Sequence, residues 1–210
     1  AQESRGLGDV YKRQAPTQVK IYTTIKGKTA HASTPKKGIS AINIASKAIS
    51  RMKLGQVDAL TTANIGKFHG GSATNIIADE VTLEAETRSH DDQSINKQVK
   101  HMKETFETTA NELGGQAEVL VEKSYPGFEV NETDKVTQYA ISSALALGLK
   151  GDTCIAGGGS DGNIMNQYGI PSVILGVGYE NIHTTSERIA IKDMYMLTRQ
   201  IIKIIELVAE

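Results

Sequence analysis

Residues Val81–Glu122 read VTLEAETRSHDDQSINKQVKHMKETFETTANELGGQAEVLVE, and the hydrophobic period changes twice within them. Val81, Leu83 and Ala85 alternate with Thr82, Glu84 and Glu86, the pattern of a strand with one buried face. From Asp91 to Leu113 the apolar residues Ile95, Val99, Met102, Phe106, Ala110 and Leu113 recur at helical spacing, which predicts a long amphipathic helix. Asp91 and Asp92 stand at its start, where the helix dipole favours negative charge, and Gly114-Gly115 end it. Ala117–Glu122 is again a strand.

The preceding residues repeat the theme. Gln18–Lys26 (QVKIYTTIK) is β-branched and partly alternating, a strand signal. Gly38–Leu54 carries Ile39, Ile42, Ala45, Ile49 and Met52 at helical spacing, and Thr62–His69 reads as a strand closed by Gly70-Gly71. The order is β-α-β-β-α-β. It predicts a ferredoxin-like, split-βαβ domain over residues 15–125, with one sheet face on both helices and the other left for solvent or a partner.

After Tyr125-Pro126-Gly127 the pattern changes. Thr133–Leu147 reads as a helix, Asp152–Ala156 as a short strand, and Gly157-Gly158-Gly159-Ser160-Asp161 leads into a short helix ending near Tyr168. Pro171–Leu175 reads as a buried strand. Ile191–Val208 is a helix with Ile191, Met194, Leu197, Ile201, Ile205 and Val208 on one face. Residues 126–210 are thus expected to be a piece of an α/β sheet with helices on its faces. Two short strands and three helices make a poor core, so this part is expected to need partners.

Ala1–Gln14 (AQESRGLGDVYKRQ) has neither an apolar period nor the hydrophobic stretch of a signal peptide. Its end resembles the translation of a transposon adaptor used in sequencing libraries. The expectation is a disordered scar that packs on nothing, with the upstream part of the gene missing.

Composition narrows the function classes. Of 210 residues, 39% are hydrophobic and 22% charged, as in ordinary soluble domains, and the net charge of -1 gives no basic surface suited to nucleic acid. No apolar run approaches the roughly 18 residues of a membrane helix. The single cysteine, Cys154, rules out an internal disulfide and fits a reducing, cytoplasmic compartment. Without tryptophan, and with 5% aromatics, the core must be mostly aliphatic.

Four signals carry possible chemistry. His31 follows a strand end and is flanked by small residues in Gly27-Lys28-Thr29-Ala30-His31-Ala32-Ser33. Asn75 lies between two strands in Gly71-Ser72-Ala73-Thr74-Asn75-Ile76-Ile77. Arg88 sits on the polar side of its strand, with a planar fork that suits a carboxylate. The glycine run before Ser160 offers backbone N–H groups to an anion, and His183, after Gly176-Val177-Gly178, offers a ring nitrogen to a metal. Each alone also fits an ordinary role: a solvated histidine, a self-capping turn asparagine, a Glu86–Arg88 ion pair, a flexible turn.

Together and in this order, the signals resemble one metallopeptidase family, that of peptidase T, carboxypeptidase G, aminoacylase and dipeptidase V. The stretches that carry it are TIKGKTAHAS ending at Ser33, GGSATNIIAD ending at Asp79, GGGSDGN ending at Asn163 and GYENIHTTSE ending at Glu187. The peptidase T-like branch is the most similar.

The resemblance implies a ferredoxin-like lid, used for homodimerisation, inserted into an α/β zinc-peptidase domain holding two divalent ions, usually zinc. It implies that His183 is a metal ligand and that His31 polarises the scissile carbonyl. It implies that Asn75 and Arg88 hold the substrate backbone or its carboxylate, and that Gly158, Gly159 and Ser160 line the cleft. The implied reaction is metal-dependent hydrolysis of short peptides, as in a tripeptide aminopeptidase. The family's other metal ligands and its general-base glutamate have no counterpart here, so this chain is expected to be an inactive fragment. A deacylase or carboxypeptidase of the same family, and a non-catalytic dimerisation module, are the alternatives.

Overall fold

The computed structural model describes the chain from Leu7 to Glu210, with side chains from Lys12 onward. It divides into two units, Thr17–Tyr125 and the remainder.

The Thr17–Tyr125 unit contains β2 (Thr17–Lys26), β3 (Ala30–His31), α1 (Ala41–Arg51), β4 (Gly55–Gln56), β5 (Thr61–Gly70), β6 (Ile76–Ile77), β7 (Glu80–Ser89), α2 (Asp92–Glu112) and β8 (Gln116–Tyr125); β1 (Leu7–Ala15) belongs to the other unit. Its sheet runs β4-β5-β7-β2-β8, all antiparallel, with β3 and β6 forming a separate pair. The four long strands keep the ferredoxin-like order expected from the sequence, and β2 lies between β7 and β8.

The register explains why one face is dry. Ile25 pairs with Val81 and Ile21 with Ala85, so apolar side chains from neighbouring strands point the same way. They meet Ile44, Ala45 and Ala48 of α1 and Ile95, Met102 and Phe106 of α2. Phe106, Ile44, Ile21 and Ile25 are almost wholly buried, each contributing about 1.5–3 kcal/mol of burial. The helix starts are capped as their sequences allow. The Asp91 carboxylate accepts the Ser94 N–H at 2.6 Å, and Ser40 Oγ accepts the Asn43 N–H at 3.2 Å.

The second unit contains β1, β9 (Phe128–Glu129), α3 (Lys135–Ala146), β10 (Asp152–Ile155), α4 (Asp161–Gln167), β11 (Ile174–Val177) and α5 (Ile191–Ala209). Here the structure corrects the reading of the N-terminal residues. From Leu7 onward they form β1, parallel to β10 and antiparallel to β11 and β9; residues 1–6 lie outside the described chain. The reason is that a ladder is built from backbone groups, which every non-proline residue supplies, so a segment without apolar period can fill a strand slot. The Val130 N–H donates to the Arg13 carbonyl and the Ala156 N–H to the Gln14 carbonyl, both at 2.8 Å.

One further difference and one agreement with expectation concern this unit. The strand expected over Pro171–Leu175 begins at Ile174 and is half-buried, as fits a proline that cannot donate to a ladder. The apolar stripe of α5 is largely uncovered: Ile191 is 84% exposed, Ile205 63% and Val208 58%, while Gln200 is fully buried and donates to Ser143 Oγ at 3.3 Å. The buried core is correspondingly small, with Ala15, Phe128, Val130 and Ala156 in one cluster and Ala140 and Ala144 in another. Among the described residues no helix is long and apolar enough to cross a membrane.

Candidate functional site

At the end of β2 the chain turns sharply. A Cβ on Gly27 would overlap the Ile39 carbonyl, which explains a glycine there. The Gly27 N–H donates to the Asp79 carbonyl at 2.7 Å, and Lys28 and Ile39 exchange two backbone bonds of 2.8 Å. This turn launches β3, whose His31 pairs with Ile76 of β6. The Ala32 N–H then donates to the Asn75 carbonyl at 2.9 Å. His31 and Asn75, distant in sequence, are thereby brought side by side, both exposed.

The ring of His31 has a defined orientation. Its Nδ1 accepts the Ser33 backbone N–H at 3.1 Å and lies 2.7 Å from Ser33 Oγ. A nitrogen that accepts an N–H carries no proton of its own, so the neutral ring has its proton on Nε2. That leaves Nε2–H as a donor for a carbonyl or oxyanion. Ser33 escapes a sequence reading; the only hint is a small hydroxyl residue two positions after the histidine.

Arg88 stands elsewhere. It is eight residues along β7 from Glu80, about 27 Å at strand rise, while the β3–β6 pair sits near the Glu80 end. Arg88 Nε donates to Glu86 Oε1 at 2.9 Å, and Glu86 Oε2 accepts from Gln18 Nε2 at 2.7 Å. The fork is half-buried and already engaged with a carboxylate of its own strand.

In the other unit, Gly157–Ser160 connects β10 to α4. Ser160 is the N-cap: its Oγ accepts the Gly162 N–H at 3.3 Å, and its own N–H donates to Asn163 Oδ1 at 2.9 Å. The amides of Ser160 and Gly162, which follow the expected anion cradle, are thus used internally. Gly159 and Ser160 are exposed and Gly158 half-buried.

His183 lies in a loop clasped by a bridge between Glu180 and Arg188, whose side chains meet at 2.6 Å. Its N–H donates to Glu187 Oε2 at 2.9 Å, and Thr184 Oγ1 donates to the Asn181 carbonyl at 2.7 Å. Asn181 and His183 adopt left-handed backbone, φ 56° and 62°. Such torsions in non-glycine residues cost energy that the surrounding loop must supply, and they cluster at functional sites. β10 runs parallel to β1 and β11 antiparallel to it, so the glycine turn and the His183 loop start from opposite ends of the sheet.

Among the described residues no group of three or more His, Cys, Asp or Glu side chains converges. A catalytic zinc normally takes three protein ligands. His183 with one neighbouring carboxylate can contribute to a two-metal centre but does not complete one.

The sequence pattern of the peptidase dimerisation domain matches residues 17–114. A tripeptidase of Staphylococcus aureus subsp. aureus Mu50 superposes with a TM-score of 0.94 at 65% identity, covering 98% of this chain and 55% of that one. The aminopeptidase PepT of Bacillus cereus ATCC 10987 gives 0.89 at 47% identity, covering 98% and 55%. Peptidase T of Ligilactobacillus salivarius is 27% identical over 97% of this chain and 50% of its own length. The chain spans about half the length of the curated relatives it matches. Residues 17–114 therefore belong to the peptidase dimerisation domain of the M20 family, and the chain as a whole resembles peptidase T-like proteins in sequence and fold.

Proposed function

We propose that this chain is part of a metal-dependent aminopeptidase that cleaves short peptides, tripeptides among them, in the cytoplasm. The observation that carries the reading is likeness to a tripeptidase along nearly the whole chain. His31 supports it chemically. A neutral imidazole presenting Nε2–H stabilises the negative charge that develops on a carbonyl oxygen under attack, a contribution of about 3 kcal/mol in comparable sites. Asn75, beside it, supplies an amide to the peptide backbone. Gly158, Gly159 and Ser160 line the cleft, whereas Arg88, about 27 Å along β7 from the end that carries His31 and paired with Glu86, is too distant to hold the same short peptide. The Thr17–Tyr125 unit joins two copies as a homodimer.

In this reading His183 would be one ligand of a pair of divalent ions, zinc in the first instance, which would supply activation of water. The described residues do not complete that donor set. On this reading the 210-residue chain does not hydrolyse peptides by itself.

The test pairs the purified chain with a longer form that includes the span its relatives possess in addition. Both are assayed with zinc on free-amine tripeptides and on N-acyl amino acids. The longer form hydrolyses the tripeptides in a chelator-sensitive way, and the 210-residue chain does not. Preference for N-acyl amino acids would replace the aminopeptidase reading with a deacylase. Steady hydrolysis by the short chain would overturn the assignment of its missing ligands.

A further inference from the structure

Asn163 is fully buried, and its side chain joins three separate points of the backbone. Its Oδ1 accepts the Ser160 N–H at 2.9 Å. Its Nδ2 donates to the Pro126 carbonyl at 2.8 Å and to the Pro16 carbonyl at 3.3 Å. Pro16 and Pro126 are the residues at which the chain leaves its own unit for Thr17 and returns from Tyr125. Neither proline has an N–H, so each enters a network at these crossings only through its carbonyl.

The chemistry demands a primary amide. Two N–H donors and one acceptor on a short stem match two carbonyls and one N–H. Aspartate would keep the acceptor but turn a carboxylate oxygen toward two carbonyl oxygens. Glutamine would add a methylene to a side chain that is fully buried. Helix capping alone would need only the acceptor, because Ser160 Oγ already accepts the Gly162 N–H. The two donations to the crossings are therefore a separate function of this side chain.

We propose that Asn163 is a positioning residue: it fastens the Ser160 end of the glycine-rich turn to both chain crossings, so that displacement of either crossing is passed to that turn. This deepens the reading of Gly158–Ser160 as cleft-lining residues and rests on it for its functional meaning. The coupling itself is a property of the 210-residue chain and needs no activity.

The experiment is amide hydrogen exchange by NMR on that chain. The Asn163 side-chain protons exchange at least about fivefold more slowly than those of exposed asparagines such as Asn75, as expected for groups held by hydrogen bonds. Pro126→Ala loosens one crossing and changes the exchange of the Ser160 N–H severalfold. In an Asn163→Asp background, which retains the acceptor for Ser160, the same proline change leaves Ser160 unaffected. A purely structural role would lower protection throughout and leave the response of Ser160 equal in both backgrounds, which overturns the proposal. Should Asn163→Asp not fold, the wild-type side-chain rates decide: exchange as fast as exposed asparagines overturns it, and slow exchange together with a Ser160 response to Pro126→Ala supports it. Failure of peptide hydrolysis in the longer form would sink the peptidase reading and leave this coupling standing.

Discussion

Nδ1 of His31 lies 2.7 Å from Ser33 Oγ and accepts the Ser33 backbone N–H at 3.1 Å. The neutral ring therefore keeps its proton on Nε2. Long-range 1H–15N spectra of the neutral ring will show Nδ1 as the unprotonated nitrogen. Ser33→Ala retains the backbone bond, so it shifts the tautomer ratio by no more than about fivefold, the worth of one hydrogen bond. A wild-type ring protonated mainly on Nδ1 would contradict the donor role given to this residue.

Phe106 and Ile205 each lie on the apolar stripe of a helix, and they will respond differently. Phe106 is fully buried, so Phe106→Ala costs about 3–5 kcal/mol. Ile205 is 63% exposed, so Ile205→Ala stays within about 0.5 kcal/mol. Urea unfolding followed by circular dichroism measures both. Comparable losses would mean that α5 is covered in solution.

The excised segment Thr17–Tyr125 will fold alone, because its two apolar clusters draw only on its own residues. It should melt cooperatively and bind little hydrophobic dye. The whole chain, with Ile191, Ile205 and Val208 uncovered, should bind dye strongly. A non-cooperative melt of the excised segment would refute its independence.

Asn181 holds φ 56°, a conformation glycine adopts without a Cβ penalty. Asn181→Gly is expected to leave stability unchanged or raise it by up to about 1 kcal/mol. His183→Val places a β-branched side chain at φ 62° and is expected to cost about 1–2 kcal/mol. Differential melting of the two variants checks the sign of each. A glycine variant less stable than the wild type would show that the Asn181 side chain, whose Nδ2 reaches the Ser186 carbonyl at 3.4 Å, matters more than its backbone.

Burial pushes the Cys154 thiol up from its usual range, against a weaker opposing pull from Lys12. The reactive thiolate is then scarcer at neutral pH in the folded chain than in the unfolded one. Iodoacetamide should label folded Cys154 more slowly, with the rate rising at higher pH than for denatured protein. Lys12→Ala removes the favourable charge and should displace the profile further upward. Identical profiles for folded and denatured protein would remove the effect.

Much of the Thr17–Tyr125 unit could be read from residues alone. The alternation around Leu83, the stripe through Met102 and Phe106, and the Asp91 cap each report local backbone geometry. Local geometry also sufficed to order the elements as β-α-β-β-α-β. Three features lay beyond that reach. The placement of Leu7–Ala15 beside β10 and β11 depends on backbone ladders, whose donors and acceptors are alike in almost every residue and leave no mark on side-chain pattern. That the second unit would leave apolar surface uncovered was foreseeable from its few strands, but that the uncovered stripe is that of α5 was not, because periodicity tells which residues share a face, while only packing tells which face is covered. The meeting of His31 with Asn75, and of Asn163 with Pro16 and Pro126, joins residues far apart in the chain. Such contacts are selected by the folded shape, through the requirement that a buried polar group find a partner, and no spacing in the sequence encodes them.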